Sequence, residues 1–421
     1  MRYLSDEIER MLSVDKKMAF ISGPRQAGKT TLARYLLHKK GQDLNYFNWD
    51  IESHRKLIIK NPERFWQLKP PSDLKQEQRV VLDEIHKYPR WKRFLKGLYD
   101  FTDKKAEILV TGSGRLDIYQ RGGDSLFGRY FLYRLHPFTL GELLSSDRRT
   151  VRTPEVFWKD VFSGGHVQGA AEGLAAIDRF TGFPEPLFSA SETKLRRWRR
   201  SRSRLVIRED LQDLTRIRDI GLLETLATLL PERVGSPLSL NSLSGDLGVA
   251  FHTVQLWVKT LARLYYLFEI RPYAGRLARS LRKEAKIFLF DFTEIEAEGP
   301  RFENLAALHL RKLCDSWNDF GYGDFALHYV RDKEKREVDF LISESGKPYA
   351  LIETKISGRE ISPHLFRFAS LLKPKYAVQL VRDGGELSEA VSGTSGNPGP
   401  GEAAASGGIY RISASRFLPY I

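Results

Sequence analysis

The apolar run Met18-Ala-Phe-Ile-Ser22 leads directly into Gly23-Pro24-Arg25-Gln26-Ala27-Gly28-Lys29-Thr30. Then comes Thr31-Leu-Ala-Arg-Tyr-Leu-Leu37, whose apolar residues recur at helical spacing. A buried strand, a glycine-framed loop and a helix, in that order, commit this part of the chain to an α/β layer structure. In that setting G-x-x-x-x-G-K-T is a phosphate loop. The two glycines let the backbone turn its N–H groups toward phosphate oxygens, with a helix N-terminus behind them. Lys29 then reaches the β- and γ-phosphates, the Thr30 hydroxyl binds Mg2+, and the stretch from Gly23 through Thr31 forms the cradle for a nucleoside triphosphate.

At 421 residues the chain is too long for one ordinary core, so two or three domains are expected. No apolar run of about 18 residues is present to cross a bilayer. The opening Met1-Arg-Tyr-Leu-Ser-Asp-Glu-Ile-Glu-Arg10 lacks the apolar core of a secretory signal. The single cysteine, Cys314, excludes an internal disulfide and any zinc site built on several cysteines, so a reducing cytoplasm fits. A net charge of +14 favours polyanionic partners. Arginine is also clustered: Lys194-Leu-Arg-Arg-Trp-Arg-Arg-Ser-Arg-Ser-Arg-Leu-Val-Ile-Arg208 holds eight basic residues and no acid. Nucleic-acid contact and a merely solvated basic face are both open readings of that cluster.

Strands are predicted at Met18–Ile21, Asp43–Trp49, Arg79–Leu82, Glu107–Thr111 and Arg129–Leu135, alternating with helical patterns as in a parallel sheet. Residues 151–235 read as helical. Leu240–Gly248 and Phe251–Leu261 have the form of a helix-turn-helix, and Tyr265–Tyr273 with Lys286–Asp291 could be the strands of a wing. Such a module either contacts DNA or only packs against protein. A helix over Phe302–Leu313 follows, then strands at Ala326–Val330, Glu337–Ile342, Tyr349–Glu353, Tyr376–Val381 and Ile409–Ile412. The low-complexity stretch 392–408 precedes the last of them.

Arg79-Val-Val-Leu-Asp83-Glu84 supplies the other half of the nucleotide site: Asp83 for the Mg2+ shell beside Thr30, Glu84 to orient and deprotonate water. The next strand ends in Thr111-Gly-Ser113. Ser113, with Thr111 close behind, is the candidate for sensing the γ-phosphate. In Leu126-Phe-Gly-Arg129 the arginine either completes a neighbouring subunit's site or pairs within its own. Arg25 is a second candidate for phosphate contact. The histidines His86, His136 and His328 read as structural, while His252 either caps a helix or meets DNA.

Near the C-terminus, Glu337-Val-Asp339 and Glu353-Thr-Lys355 lie on strand-like segments joined by the turn Ser343–Pro348. On neighbouring strands Asp339 and Glu353 can share a face, and Lys355 shares it with Glu353 by the period of two. Two carboxylates holding Mg2+ or Mn2+ and a lysine beside them suit phosphodiester hydrolysis.

These motifs, with Leu135-His-Pro-Phe-Thr-Leu-Gly-Glu142, Gly182-Phe-Pro-Glu-Pro186, Ile207-Arg-Glu-Asp-Leu211, Phe302-Glu-Asn304 and Arg336-Glu-Val-Asp-Phe340, resemble a family of prokaryotic AAA-type ATPases. Its members carry a C-terminal winged helix and a restriction-endonuclease-like domain. The resemblance implies an α/β fold with an AAA-type ATPase domain over 1–150, a helical lid or linker over 151–236, a winged helix over 237–292 and a PD-(D/E)XK nuclease-like domain over 293–421. It implies ATP and Mg2+ at the first site, with Asp339, Glu353 and Lys355 as the nuclease core. Glu303 resembles an extra acid that some such nucleases add. The expected function is ATP-dependent processing of branched or structured DNA by a cytoplasmic homo-oligomer, a hexamer being one candidate, without a membrane partner. The alternatives are a signal-transducing STAND-like switch whose nuclease-like fold only binds a partner, and a transcription regulator using the winged helix.

Overall fold

The computed structural model describes residues 2–67, 78–102, 106–112, 126–145, 151–208, 219–274, 284–358, 360–384 and 408–421, with the backbone alone at 209–210 and 388–391. They form two compact units. One comprises Met1–Pro137, Asp147–Thr150 and Arg263–Tyr265, and the other Phe138–Ser146, Val151–Ala262 and Tyr266–Ile421.

The first unit is built on five parallel strands: β1 Met18–Ser22, β2 Tyr46–Asn48, β3 Gln78–Asp83, β4 Ala106–Thr111 and β5 Tyr130–Arg134. Their spatial order is β2-β3-β4-β1-β5. All five residues of β1 are buried, so the run is apolar throughout instead of alternating, as a strand covered on both faces must be. Met18 and Phe20 point to one face with Val80, Leu82, Ile108 and Val110, where Trp91 and Leu95 cover them. Burying a side chain of that size contributes about 1.5–3 kcal/mol. Ala19 and Ile21 alternate to the other face. The helix Lys29–His38 packs on β3 and β4. All the predicted strands of this unit form. The second is shorter than expected because Asp43–Asn45 makes a 3-10 turn before it. Because β4 lies between β1 and β3, the carboxyl ends of all three converge at one edge, where ligands bind in such sheets.

The second unit begins with helices. Ser191 caps Glu192–Arg204 by accepting from Lys194 N, and Asp219 caps Ile220–Leu229 by accepting from Leu222 N. The helices Leu240–Leu247 and Phe251–Arg263 follow as the sequence predicts, with Gly248 left-handed at the end of the first. The sheet then runs through β6 Leu267–Pro272, β7 Lys286–Leu289, β8 Phe325–Arg331, β9 Glu337–Glu344, β10 Lys347–Lys355, β11 Tyr376–Val381, β12 Ser388–Val391 and β13 Ile409–Ser413.

Its order is β12-β13-β11-β10-β9-β8-β6-β7. The β6–β7 hairpin expected as a wing is therefore continuous with the C-terminal sheet: Arg271 and Pro272 pair in parallel with His328 and Tyr329. The helix predicted at Phe302–Leu313 runs longer, Glu298–Asp319, and packs on β7, β8, β9 and β10. Asn304 explains one of the sequence motifs. Fully buried, it accepts from Leu289 N at 2.7 Å and donates to Leu289 O at 2.8 Å, tying the helix to β7. A second motif is structural too. Lys312 Nζ donates to Thr139 Oγ1 at 2.6 Å, and a Cβ on Gly141 would stand 2.4 Å from Pro419 O.

Candidate active sites

The loop Gly23–Lys29 needs its glycines for separate reasons. At Gly23, φ is +143° and a Cβ would stand 2.3 Å from Leu135 O, so no side chain fits between the loop and the strand beside it. At Gly28, φ is +98° where the chain turns into the helix Lys29–His38. Lys29 Nζ donates to the carbonyls of Gly23 at 2.9 Å and Pro24 at 2.6 Å. The ammonium thus lies inside the loop it serves.

Asp83, buried at the end of β3, gathers three hydroxyls. Thr30 Oγ1 donates to Oδ2 at 2.9 Å, Tyr46 Oη to the same oxygen at 2.6 Å, and Thr111 Oγ1 to Oδ1. Thr30 and Asp83 therefore meet as one donor set suited to Mg2+, a hydroxyl and a carboxylate at a strand end. Burial, then the bond to Asp83, pushes the Tyr46 phenol up to about 12, so it stays a donor. The Arg34 guanidinium lies over its ring at 4.2 Å.

Glu84 sits one residue beyond, at φ +56°, with its N–H on Thr111 O at 2.9 Å. Its Oε2 lies 3.5 Å from His86 Nε2 and 3.6 Å from Lys87 Nζ. Burial raises its pKa, against the pull of Lys29 and Lys87. A carboxylate made more basic by burial is suited to take a proton from water.

Thr111 is at the site as a partner of Asp83, whereas Ser113 lies outside the described residues. Arg129 is half-buried and donates to Asp100 at 2.9 Å and 3.2 Å within its own unit. Sequence reading missed Tyr46. It lies on a short strand whose parallel register, Asn48 opposite Asp83, is set only by the sheet.

In the second unit, β9 and β10 form a hairpin closed by Ser345 and Gly346, both at positive φ, as a tight two-residue turn requires. Ile352 lies opposite Phe340, and the continuing register sets Glu353 opposite Asp339. Asp339 Oδ2 accepts from Thr354 N at 2.8 Å and Thr354 Oγ1 at 2.6 Å. Glu353 Oε1 accepts from Lys355 Nζ at 2.7 Å, and Glu353 Oε2 faces Asp339 N at 3.4 Å. The three residues are thus together on one hairpin.

Glu303 takes a different partner. Lys286, buried on β7, donates to Glu303 Oε1 at 2.9 Å and lies 2.6 Å from Glu337 Oε1. Burial, then the charge of Asp339, pushes Glu303 up to about 8. The same two causes bring Glu353 to about 7. Burial works against the charge on Lys286, but Glu303, Asp339 and Glu337 outweigh it and hold the ammonium above the usual lysine range. An excess of acids in one buried cluster strengthens proton binding at every member. Among the described residues no three carboxylate, imidazole or thiolate side chains converge as a metal cage. Asp339 and Glu353 provide two carboxylates, the number with which Mg2+ is commonly held alongside water and substrate phosphate.

Residues 15–144 match the AAA domain family, and the first unit is an AAA-type P-loop ATPase domain, a class that binds ATP, usually with Mg2+. Residues 179–293 and 298–389 match two families described as domains of unknown function, DUF8612 and DUF4143. The chain is similar to uncharacterized proteins of Mycobacterium bovis and Mycobacterium tuberculosis. Each is 24% identical over 359 residues, which span 82% of this chain and 72% of the relative. Among solved structures it is similar to the Aeropyrum pernix ORC1 protein in complex with DNA, at 16% identity and TM-score 0.31 over 70% of this chain and 90% of that one. It is also similar to a Signal Transduction ATPase with Numerous Domains from Pyrococcus horikoshii, at 13% identity and TM-score 0.25 over 72% of this chain and 44% of that one. Among the described residues no helix is long and apolar enough to cross a membrane.

Proposed function

We propose that the protein is an ATP-hydrolysing DNA-processing enzyme whose 293–421 region is a metal-dependent endonuclease acting on branched or structured DNA. The observation that carries the reading is the meeting of Asp339, Glu353 and Lys355 on adjacent strands, with Lys355 Nζ 2.7 Å from Glu353 Oε1.

At the ATPase site Lys29 exchanges its loop carbonyls for phosphate oxygens. Thr30 and Asp83 would hold Mg2+, which supplies charge neutralisation on the phosphates when bound. Glu84 takes a proton from the attacking water. The water oxygen bonds to the γ-phosphorus as the bond to the β–γ bridging oxygen breaks, leaving ADP and phosphate. At the second site Asp339 and Glu353 would hold Mg2+ or Mn2+, which activates water when bound. There Lys355 positions the nucleophile and Thr354 keeps Asp339 oriented. Helices 240–263 and the arginine-rich segment 194–208 hold the DNA, and a homo-oligomer, with a hexamer among the candidates, brings the sites together.

The test is cleavage of a panel of forks, junctions, flaps and plain duplexes with Mg2+ or Mn2+. Cleavage is expected to vanish in Asp339→Ala and Glu353→Ala while ATP hydrolysis persists. Intact substrate across the whole panel with the wild-type protein would overturn the nuclease reading. One observation favours a second reading, a STAND-like switch with a non-catalytic C-terminal domain: Lys286 neutralises Glu303, leaving two acids instead of three for a metal. That reading predicts very slow ATP turnover and no metal at Asp339 and Glu353.

A further inference from the structure

The helix Glu192–Arg204 sorts its arginines. Leu195, Trp198 and Arg202 are buried, and the Arg202 guanidinium lies over the ring of Phe183 at 4.5 Å. Arg199 donates to the side-chain and main-chain oxygens of Thr293, each at 2.9 Å. Arg208, in the wider turn that follows, is held by Glu224 at 2.7 Å. Arg196, Arg197, Arg200 and Arg204 point outward and are exposed. None of the four makes a hydrogen bond or close ion pair with a carboxylate among the described residues, although Glu224, held by Arg208, also feels the charge of Arg204. Residues four apart rise about 6 Å along a helix. Like charges at that spacing oppose helix formation, so this ridge persists against its own repulsion.

Depressions flank the ridge. One cavity of about 440 Å³ is lined by six arginines and three carboxylates. Of those acids Glu224 is taken by Arg208, Asp291 has Arg199 at 3.9 Å, and burial raises the pKa of Glu294. The second is lined by Arg197, Arg200, Ser201, Arg204 and Leu205, with no acid. Besides the arginines, the exposed side chains of this helix are Thr193, Lys194 and Ser201, so the ridge offers nothing apolar to enter a bilayer. The helix Phe251–Arg263 is a poorer backbone reader, exposing Leu256 and Phe251 beside His252, Lys259 and Arg263.

Resting on the nucleic-acid reading above, we propose that Arg196, Arg197, Arg200 and Arg204 form a track for the phosphodiester backbone. It binds without regard to base sequence and supplies most of the charge contacts, the Phe251–Arg263 helix supplying the smaller share. The guanidinium fork matches phosphate oxygens two at a time, and the lined depressions on either side give a strand room to cross the ridge.

The experiment measures binding of a labelled duplex, its single strand, the matching RNA and phosphatidylserine vesicles across a salt series. It compares the wild-type protein, a variant with Arg196→Ala, Arg197→Ala, Arg200→Ala and Arg204→Ala, one with lysine at the same four positions, and a His252→Ala, Lys259→Ala variant of the second DNA-holding helix. The slope of log K against log salt is expected to fall in magnitude by about 3–4 in the alanine variant. It should stay near wild type with lysines and fall by no more than about 1 in the His252→Ala, Lys259→Ala variant, which removes a single full cation, and scrambling the bases should change nothing. The duplex, single-strand and RNA arms say which source of phosphodiester the track prefers. An alanine variant with wild-type affinity and slope overturns the track and leaves the DNA reading standing. A wild-type protein that binds no nucleic acid overturns both. Arginine-dependent capture of vesicles in place of nucleic acid assigns the ridge to a membrane and overturns the proposal.

Discussion

The Tyr46 hydroxyl donates a 2.6 Å hydrogen bond to Asp83 Oδ2, the same oxygen that receives the Thr30 hydroxyl at 2.9 Å. Tyr46 acts through Asp83, holding the carboxylate in the orientation that Thr30 shares. Removing partners that orient a metal-binding carboxylate typically costs about 10–100-fold in metal affinity or activity. Tyr46→Phe is expected to raise the Mg2+ concentration for half-maximal ATP hydrolysis by about tenfold or more. A Mg2+ titration of the ATPase rate checks this, and nucleotide binding without Mg2+ should be unchanged.

With Glu84 as the proposed base, Glu84→Gln is expected to slow ATP turnover by about 10²–10⁴ while leaving nucleotide affinity near wild type. Its pKa lies above the ordinary glutamate value because of burial. The acidic limb of the rate profile should therefore fall above the range of an exposed glutamate, with activity lost as pH drops through it. Single-turnover hydrolysis over a pH series, beside equilibrium nucleotide binding, separates this from a binding defect.

Lys286 stands between Glu303 and Glu337, and its side chain is almost wholly buried. Lys286→Met leaves buried acids uncompensated and is expected to destabilise the fold by about 3–5 kcal/mol. Adding Glu303→Leu should recover much of that loss, since removing both partners of a buried pair costs less than removing one. Urea unfolding of the four proteins of this cycle measures the coupling.

The same cluster sets a pH dependence. Glu303 and Glu353 are raised to about 8 and about 7 in the folded protein, so between the ordinary carboxylate range and those values the fold holds protons that the unfolded chain releases. Their contribution to stability is fully present below the ordinary range and is lost as pH rises through about 7 and about 8. Unfolding midpoints in chelator should decline over that window, and Glu353→Gln should flatten the decline.

Arg129 bonds Asp100 within its own unit. If it also serves a neighbouring subunit's phosphate, Asp100→Asn frees it and leaves turnover intact, whereas Arg129→Ala abolishes turnover but not nucleotide binding. A structural Arg129 instead gives the two substitutions the same modest effect on rate. Comparing the two rates at oligomer-forming concentration decides between them.

The phosphate loop and the strand ending in Asp83 and Glu84 were legible in the chain because their chemistry is local. Glycines at fixed spacing, an apolar run before them and a helical period after them carry the whole message. The same holds for the helices Leu240–Leu247 and Phe251–Arg263 and for most strands, whose apolar periods match the faces they bury. The hairpin of Asp339 and Glu353 was legible as well, since one short turn determines its register.

What the sequence could not decide depends on partners remote along the chain. The segment Lys194–Arg208 looks like one basic patch, yet helical geometry puts Arg202 in the interior with Trp198 and leaves five arginines outside, one of them, Arg208, paired with Glu224. Lys286 reads as the start of a wing strand, and only the pairing of β6 with β8 brings it into the C-terminal sheet, where it meets Glu303 and Glu337. Tyr46 is likewise one aromatic residue in a short strand until the parallel register of β2 and β3 carries its hydroxyl to Asp83. The sequence by itself determined the local conformations and the kinds of chemical group available. Tertiary structure decided which charges are buried, shared or left facing solvent, because burial and hydrogen bonding are properties of neighbours that the chain acquires only by folding.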